Sequence, residues 1–235
     1  MAIDDLPLPV VNFLNVLGVP WPYINEQTVW QFASLVRQFR QAVITTHLEA
    51  TTAVQEIARA HKGASTEAMT SGWARLSAAH VDEITAGCTA LADALDAAGF
   101  YIVGQKALAI ADLAEMAAEF LADQAAAVLT LGLAEAALPL IIVAGQKLVQ
   151  SLELDLTQYI AGKVIEEAAK PLFAKIGAAL AGLDWSQSGA TAGKPTGFSV
   201  NPAVVATQLV VLRGQAAQLR STASGLAAAV RGLNF

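Results

Sequence analysis

Three histidines (His47, His61, His80) and a single cysteine, Cys88, carry the widest chemical repertoire in this chain. A neutral imidazole ligates metals or moves protons, and a thiolate is a nucleophile or a soft ligand. Metal ligation needs several such groups at a spacing that gathers them, as in His-Glu-x-x-His or Cys-x-x-Cys, and neither pattern occurs. In "HVDEI" His80 stands beside Asp82 and Glu83, but neighbours two and three residues on make a poor chelate on a helix. A solvated or hydrogen-bonded structural histidine is the expectation. Cys88 cannot form an internal disulfide and reads as a small buried helix residue.

Carboxylates are the next candidates. Asp112, Glu115 and Glu119 share one helical face, as do Asp93 and Asp96, and paired carboxylates can serve acid–base chemistry. On an alanine-rich helix, with Lys106 nearby in sequence, they read as the wet face. The chain has no Gly-x-Gly-x-x-Gly or Walker-type loop for phosphate and no Gly-x-Ser-x-Gly elbow for a nucleophilic serine. The expectation is a protein that is not an enzyme, with no cofactor and no metal. Net charge is −6 with no basic cluster, which argues against nucleic acid, since phosphate binding needs a basic face.

The elements that hold these residues follow from composition and period. Of the 235 residues, 55% are hydrophobic and only 14% charged, with alanine abundant. Alanine loses no side-chain entropy in a helix, and long β-branched alternating runs are absent, so the chain should be all-α. The first 25 residues, broken by Pro7, Pro9, Pro20 and Pro22, read as an irregular apolar lead-in, and Asp4 and Asp5 replace the basic start of a signal peptide. Asn25 can cap a helix that runs from Glu26 to about His61, with apolar residues at three- and four-residue steps. Gly63 then stops it and Ser65 can cap the next start. A second long helix from about Thr66, kinked or interrupted near Gly99 and Gly104 on its way to Ala122, must fold back as an antiparallel hairpin. Residues 125–146 are apolar with Glu135 in mid-span, a composition shared by a buried bundle helix and a membrane-spanning one. Pro171 marks a break in the following helical stretch. Residues 184–199, rich in Gly, Ser and Thr, read as a linker. The expected organisation is an elongated helical-bundle domain at 1–183, the linker at 184–199, and a heptad helix at 200–235.

That last helix carries the clearest pattern. Val205, Leu209, Leu212, Ala216, Leu219, Ala223, Leu226, Val230 and Leu233 recur at steps of four and three without a slip. Such a stripe is unstable facing water, so it must lie against the chain's own body or against a separate chain. Val205, Leu209, Leu212, Leu219, Leu226, Val230 and Leu233 are therefore the candidate partner-binding residues. Trp21, Trp30 and Trp73, near the helix starts, are candidate plugs for the hairpin ends.

"LGVPWPYINEQTVWQFA", "HKGASTEAMTSGWARL" and the Ala-rich run through "AAGFYIVGQKALAIADLAEMAAEFLADQ" resemble the CpnT-like N-terminal regions of actinobacterial polymorphic toxins, across roughly residues 12–180. "FSVNPAVVATQLVVLRGQAAQL" looks like the opening helix of WxG-type proteins of the type VII (ESX) secretion system. The resemblance implies an export and partner-binding module that pairs with a small WxG-type helical hairpin, or with itself. It also implies a secreted or cell-envelope location reached without a signal peptide, and a cytoplasmic one before export. A channel or translocation element built on 125–146 is the alternative it raises. Trp73 is followed by Ala74 and Arg75, so no Trp-x-Gly is present, and no tyrosine has an acid four residues on.

Overall fold

The computed structural model describes residues 6–129, 138–181 and 201–233, most of them helical, with short irregular connections such as 19–25 and 61–63. Seven α-helices occur among them: α1 (Leu8–Leu17), α2 (Glu26–Ala60), α3 (Ala64–Leu76), α4 (Asp82–Leu129), α5 (Leu138–Tyr159), α6 (Lys170–Ala181) and α7 (Pro202–Arg231). Two π-helical stretches, Ser77–Val81 and Ile160–Ala169, precede α4 and α6. The fold is all-α. The linker expected at 184–199 lies outside the described residues.

The chain forms two compact units, each discontinuous in sequence. The first combines residues up to Gln31 with Ala94–Ile165. Its lead-in is more regular than its four prolines suggest. Pro7 precedes α1 and Pro9 falls in its first turn, where a missing N–H goes unnoticed. Gly18, at φ +65°, closes α1 in the left-handed conformation that costs glycine little. Val10, Phe13, Leu14 and Leu17 are buried. Phe13 meets Phe120 with ring centroids 5.6 Å apart, and α1 packs on α5 at Gly145. A Cβ there would sit 2.9 Å from Leu17 Cδ1, so a larger residue would have to push the Leu17 side chain aside. The Gln146 amide donates to the Leu17 carbonyl at 2.8 Å, satisfying the end of α1.

Within the same unit α4 passes Gly99 and Gly104 without interruption. Gly99 is required by packing instead: a Cβ would lie 2.2 Å from Trp30 Nε1. Trp30 also meets Phe100 edge-on, centroids 5.6 Å apart.

The second unit holds Phe32–Asp93 and Glu166–Leu233. Its core comes from the α2 stripe Ala33, Val36, Val43, Ala50, Val54 and Ile57, with Cys88, Leu91 and Leu172. Leu172 reaches α4 where Gly87 leaves room, 2.7 Å from the position of a Cβ. Gly63, at φ +148°, precedes α3, so Ser65 falls inside that helix and not at its cap. Pro171 lies at the start of α6, directly after the π-helical Ile160–Ala169, where its ring and missing N–H disturb the regular ladder.

Candidate partner-binding site

Helix α7 begins at a well-built cap. The Asn201 side chain accepts hydrogen bonds from the Ala203 and Val204 amides at 3.2 and 3.4 Å, and Pro202 fills the first helical position. The Asn201 amide donates to His61 Nε2 at 3.0 Å, while His61 Nδ1 pairs with the Ile57 carbonyl at 2.7 Å. Both ring nitrogens are thus used, with the proton on Nδ1, and His61 is buried. The end of α2 holds the start of α7.

Beyond that anchor α7 is seated only in part: none of its residues is buried. Among the candidate seam residues, Val205, Leu212, Leu226, Val230 and Leu233 are half-buried, whereas Leu209 and Leu219 are 42% and 37% exposed. Val210 and Val211 beside them are 70% and 37% exposed. Between α7 and α2 runs an open groove of about 780 Å³, lined by Gln41, Thr45 and Glu49 on one side and by Gly214, Gln215 and Gln218 on the other. The seam therefore leans toward its own unit across a polar gap and keeps part of its apolar surface in water.

The three tryptophans are separated. Trp21 is 3% exposed in the first unit, and its indole Nε1 is buried with no hydrogen-bond partner among the described residues. It lines a cleft of about 200 Å³ with Pro20, Tyr23, Glu153 and Thr157. Trp30 packs on Gly99, as above. Trp73, in the second unit, stacks on His47 with centroids 5.4 Å apart and rings 11° from parallel. Its Nε1 donates to Thr51 Oγ1 at 2.9 Å, and Ser77 Oγ and His47 Nε2 are 2.6 Å apart at the first residue of the π-helical turn. Burial lowers the His47 pKa against the opposing pull of Asp82. Trp73 and His47 thus tie α3 to α2 through a ring stack and hydrogen bonds, with Trp73 about three turns along from the connection at Gly63.

Cys88 is buried, and burial pushes its thiol pKa up against the pull of Arg40, which favours the protonated form. Among the described residues no three of His, Cys, Asp or Glu are grouped to hold a metal. Sequence reasoning missed Lys106, a lysine 1% exposed on α4. Its Nζ donates to the Ile24 carbonyl at 2.6 Å and lies 3.4 Å from Glu26 Oε2. Burial lowers its pKa. The pair fastens the Pro-Trp-Pro segment and the first turn of α2 to α4.

The apolar segment 125–146 divides between the end of α4 and the start of α5, with residues 130–137 outside the described ones. Among the described residues one helix, Asp82–Ala126, is long and apolar enough to cross a membrane by length and composition, a test the core helix of a soluble protein also passes.

Compared with known proteins, residues 6–146 match the model of a family described as the WXG100 like domain. No curated protein and no solved structure matches the chain.

Proposed function

The chain belongs to the WXG100-like domain family, and from that premise we propose that it is a non-catalytic, type VII (ESX) secretion-associated module that pairs through α7 with a small WxG-type helical hairpin. The observation that carries this reading is the incomplete cover of α7. Thirty residues of helix contain no buried side chain, and Leu209 and Leu219 of the seam stand open. Most helix stability in proteins comes from packing an apolar stripe, so a partner helix laid along Leu209, Leu212 and Leu219 completes what the chain's own unit leaves half done. Alanine at 216 and 223 lets that helix approach closely. The module would act in a CpnT-like polymorphic-toxin system of actinobacteria, exported without a signal peptide.

The test is the variant Leu212→Asp/Leu219→Asp beside the wild type, each mixed with small WxG-type helical-hairpin proteins. Loss of a stoichiometric complex with helix content unchanged supports the reading. Unchanged complex formation sinks it. Collapse of the second unit in that variant assigns the seam to internal packing instead. A second reading, membrane insertion around 125–146, draws on Leu140 and Val143, which are 72% and 46% exposed on α5. A protein that needs detergent to stay in solution would favour it.

A further inference from the structure

The side of α7 turned away from its own unit is basic. Arg213, Arg220 and Arg231 are all exposed, and no acidic residue occurs in Pro202–Arg231. Spacings of seven and eleven residues correspond to about two and three helical turns, so the three guanidinium groups form one row. The half-buried Gln215, Thr222 and Leu226 lie on the opposite side, with the half-buried Leu212 between the two. None of the three arginines has a carboxylate partner among the described residues. Such a row is unexpected on a chain whose net charge is −6.

A complementary row exists on α4. Asp112, Glu115 and Glu119 are exposed, and no cation among the described residues pairs with them. They continue a face that begins at Leu108, 63% exposed, and ends at the exposed Ala122. Along α4 the face Leu108, Asp112, Glu115, Glu119, Ala122 has steps of four, three, four and three. Along α7 the face Val210, Arg213, Ala217, Arg220, Ser224 has steps of three, four, three and four. Laid antiparallel, the two runs coincide residue for residue. Arg213 meets Glu119, Arg220 meets Asp112, and the small Ala217 leaves Glu115 room between the two arginines. Each arginine–carboxylate pair is then separated from the next by about 10 Å along the axis, the same on both helices.

We propose that this chain binds a second copy of itself, the arginine row of α7 lying antiparallel along the acidic row of α4 in the other molecule. The net negative charge disfavours an anionic lipid surface or nucleic acid as the occupant, whereas a second copy supplies carboxylates in matching register. Because the two faces differ, two copies can exchange both contacts in a closed two-fold dimer, or copies can add head-to-tail into a ring or a longer assembly. Exposed ion pairs are individually weak and screened by salt, so the assembly should be reversible and confined to low ionic strength. It uses the face of α7 that flanks the seam, about a quarter-turn round the helix from Leu212 and Leu219, and is carried by charge where the pairing proposed above is carried by apolar residues.

The experiment is light-scattering mass of the full chain at about 20 mM and about 0.5 M salt. The expected result is a concentration-dependent mass above the 24.4 kDa of one chain at low salt, returning to one chain at high salt. Arg213→Glu/Arg220→Glu and Asp112→Lys/Glu119→Lys should each abolish the rise, because each sets like charges face to face. Mixing those two variants should restore it, since the mixture contains both a native and a charge-swapped contact. If either reversal unfolds the chain, the neutral pairs Arg213→Gln/Arg220→Gln and Asp112→Asn/Glu119→Asn carry the test through loss of association alone. A wild type that remains one chain at low salt overturns the proposal, as does association that survives high salt or the substitutions. Binding to phosphatidylserine vesicles by a chain that never self-associates would overturn it in favour of a lipid partner. Leu212→Asn/Leu219→Asn, which adds no charge beside Arg213 and Arg220, should keep the salt-sensitive self-association while losing the WxG-type complex, which separates failure of this contact from failure of the seam.

Discussion

Replacing Lys106 by methionine keeps the length of the side chain and deletes its charge. In the folded chain that ammonium is 1% exposed, 2.6 Å from the Ile24 carbonyl and 3.4 Å from Glu26, itself 5% exposed. At an effective dielectric near 20, two unit charges at that separation attract by about 5 kcal/mol, most of it offset by the cost of burying both. Breaking such a pair from one side leaves a carboxylate buried without its cation, which costs about 3–5 kcal/mol. Replacing both partners is far milder. The expectation is that Lys106→Met loses about 3–5 kcal/mol, and that Glu26→Gln/Lys106→Met recovers most of it, to within about 1 kcal/mol of the wild type. Urea unfolding of the full chain, followed by circular dichroism and tryptophan fluorescence, reads both numbers. The fluorescence reports on this region because Trp21 and Trp30 flank Ile24 and Glu26, the groups that Lys106 contacts. A loss below about 1 kcal/mol in the single variant, or a double variant as damaged as the sum of the two singles, would refute the reasoning.

Two further perturbations probe the interiors of α4 and α2. Gly99→Ala places a methyl group 2.2 Å from Trp30 Nε1, and overpacking should cost about 1–3 kcal/mol despite alanine's better helix propensity, which differential unfolding would measure. A net gain would show that Trp30 swings aside freely. For His47, burial places the folded pKa below the unfolded one. The unfolded state therefore binds more protons, and stability present above about pH 6.5 is lost as pH falls through the folded value. The urea midpoint should drop on acidification, and His47→Gln should flatten that slope. An unchanged slope in the variant contradicts it.

Much of the fold was legible because its signals are local. The α2 stripe repeats at helical period, Gly63 interrupts it, and Asn25 caps it: the Gln27 amide donates to Asn25 Oδ1 at 2.9 Å. Features that depend on distant neighbours were not legible. Gly99 reads as a kink until Trp30, 69 residues earlier (99 − 30), is seen packed on it. Lys106 reads as part of a wet face, and only the contact to Glu26, 80 residues away, explains a lysine in the core. Helix α1 was hidden by prolines that sit where a helix tolerates them. On α7 the heptad drew attention to the seam, while the arginine row one residue ahead of it gained meaning only once the helix had a covered and an open side.

The central claim, that α7 carries a seam for another chain, is tested most directly by the light-scattering mass of the full chain in detergent-free buffer at moderate salt, alone and with each of a set of small WxG-type helical-hairpin proteins. The account predicts one chain of 24.4 kDa alone and a stoichiometric heteromer with one of those proteins. A chain that stays at that mass with every candidate would contradict it, and would mean that α7 completes the chain's own second unit.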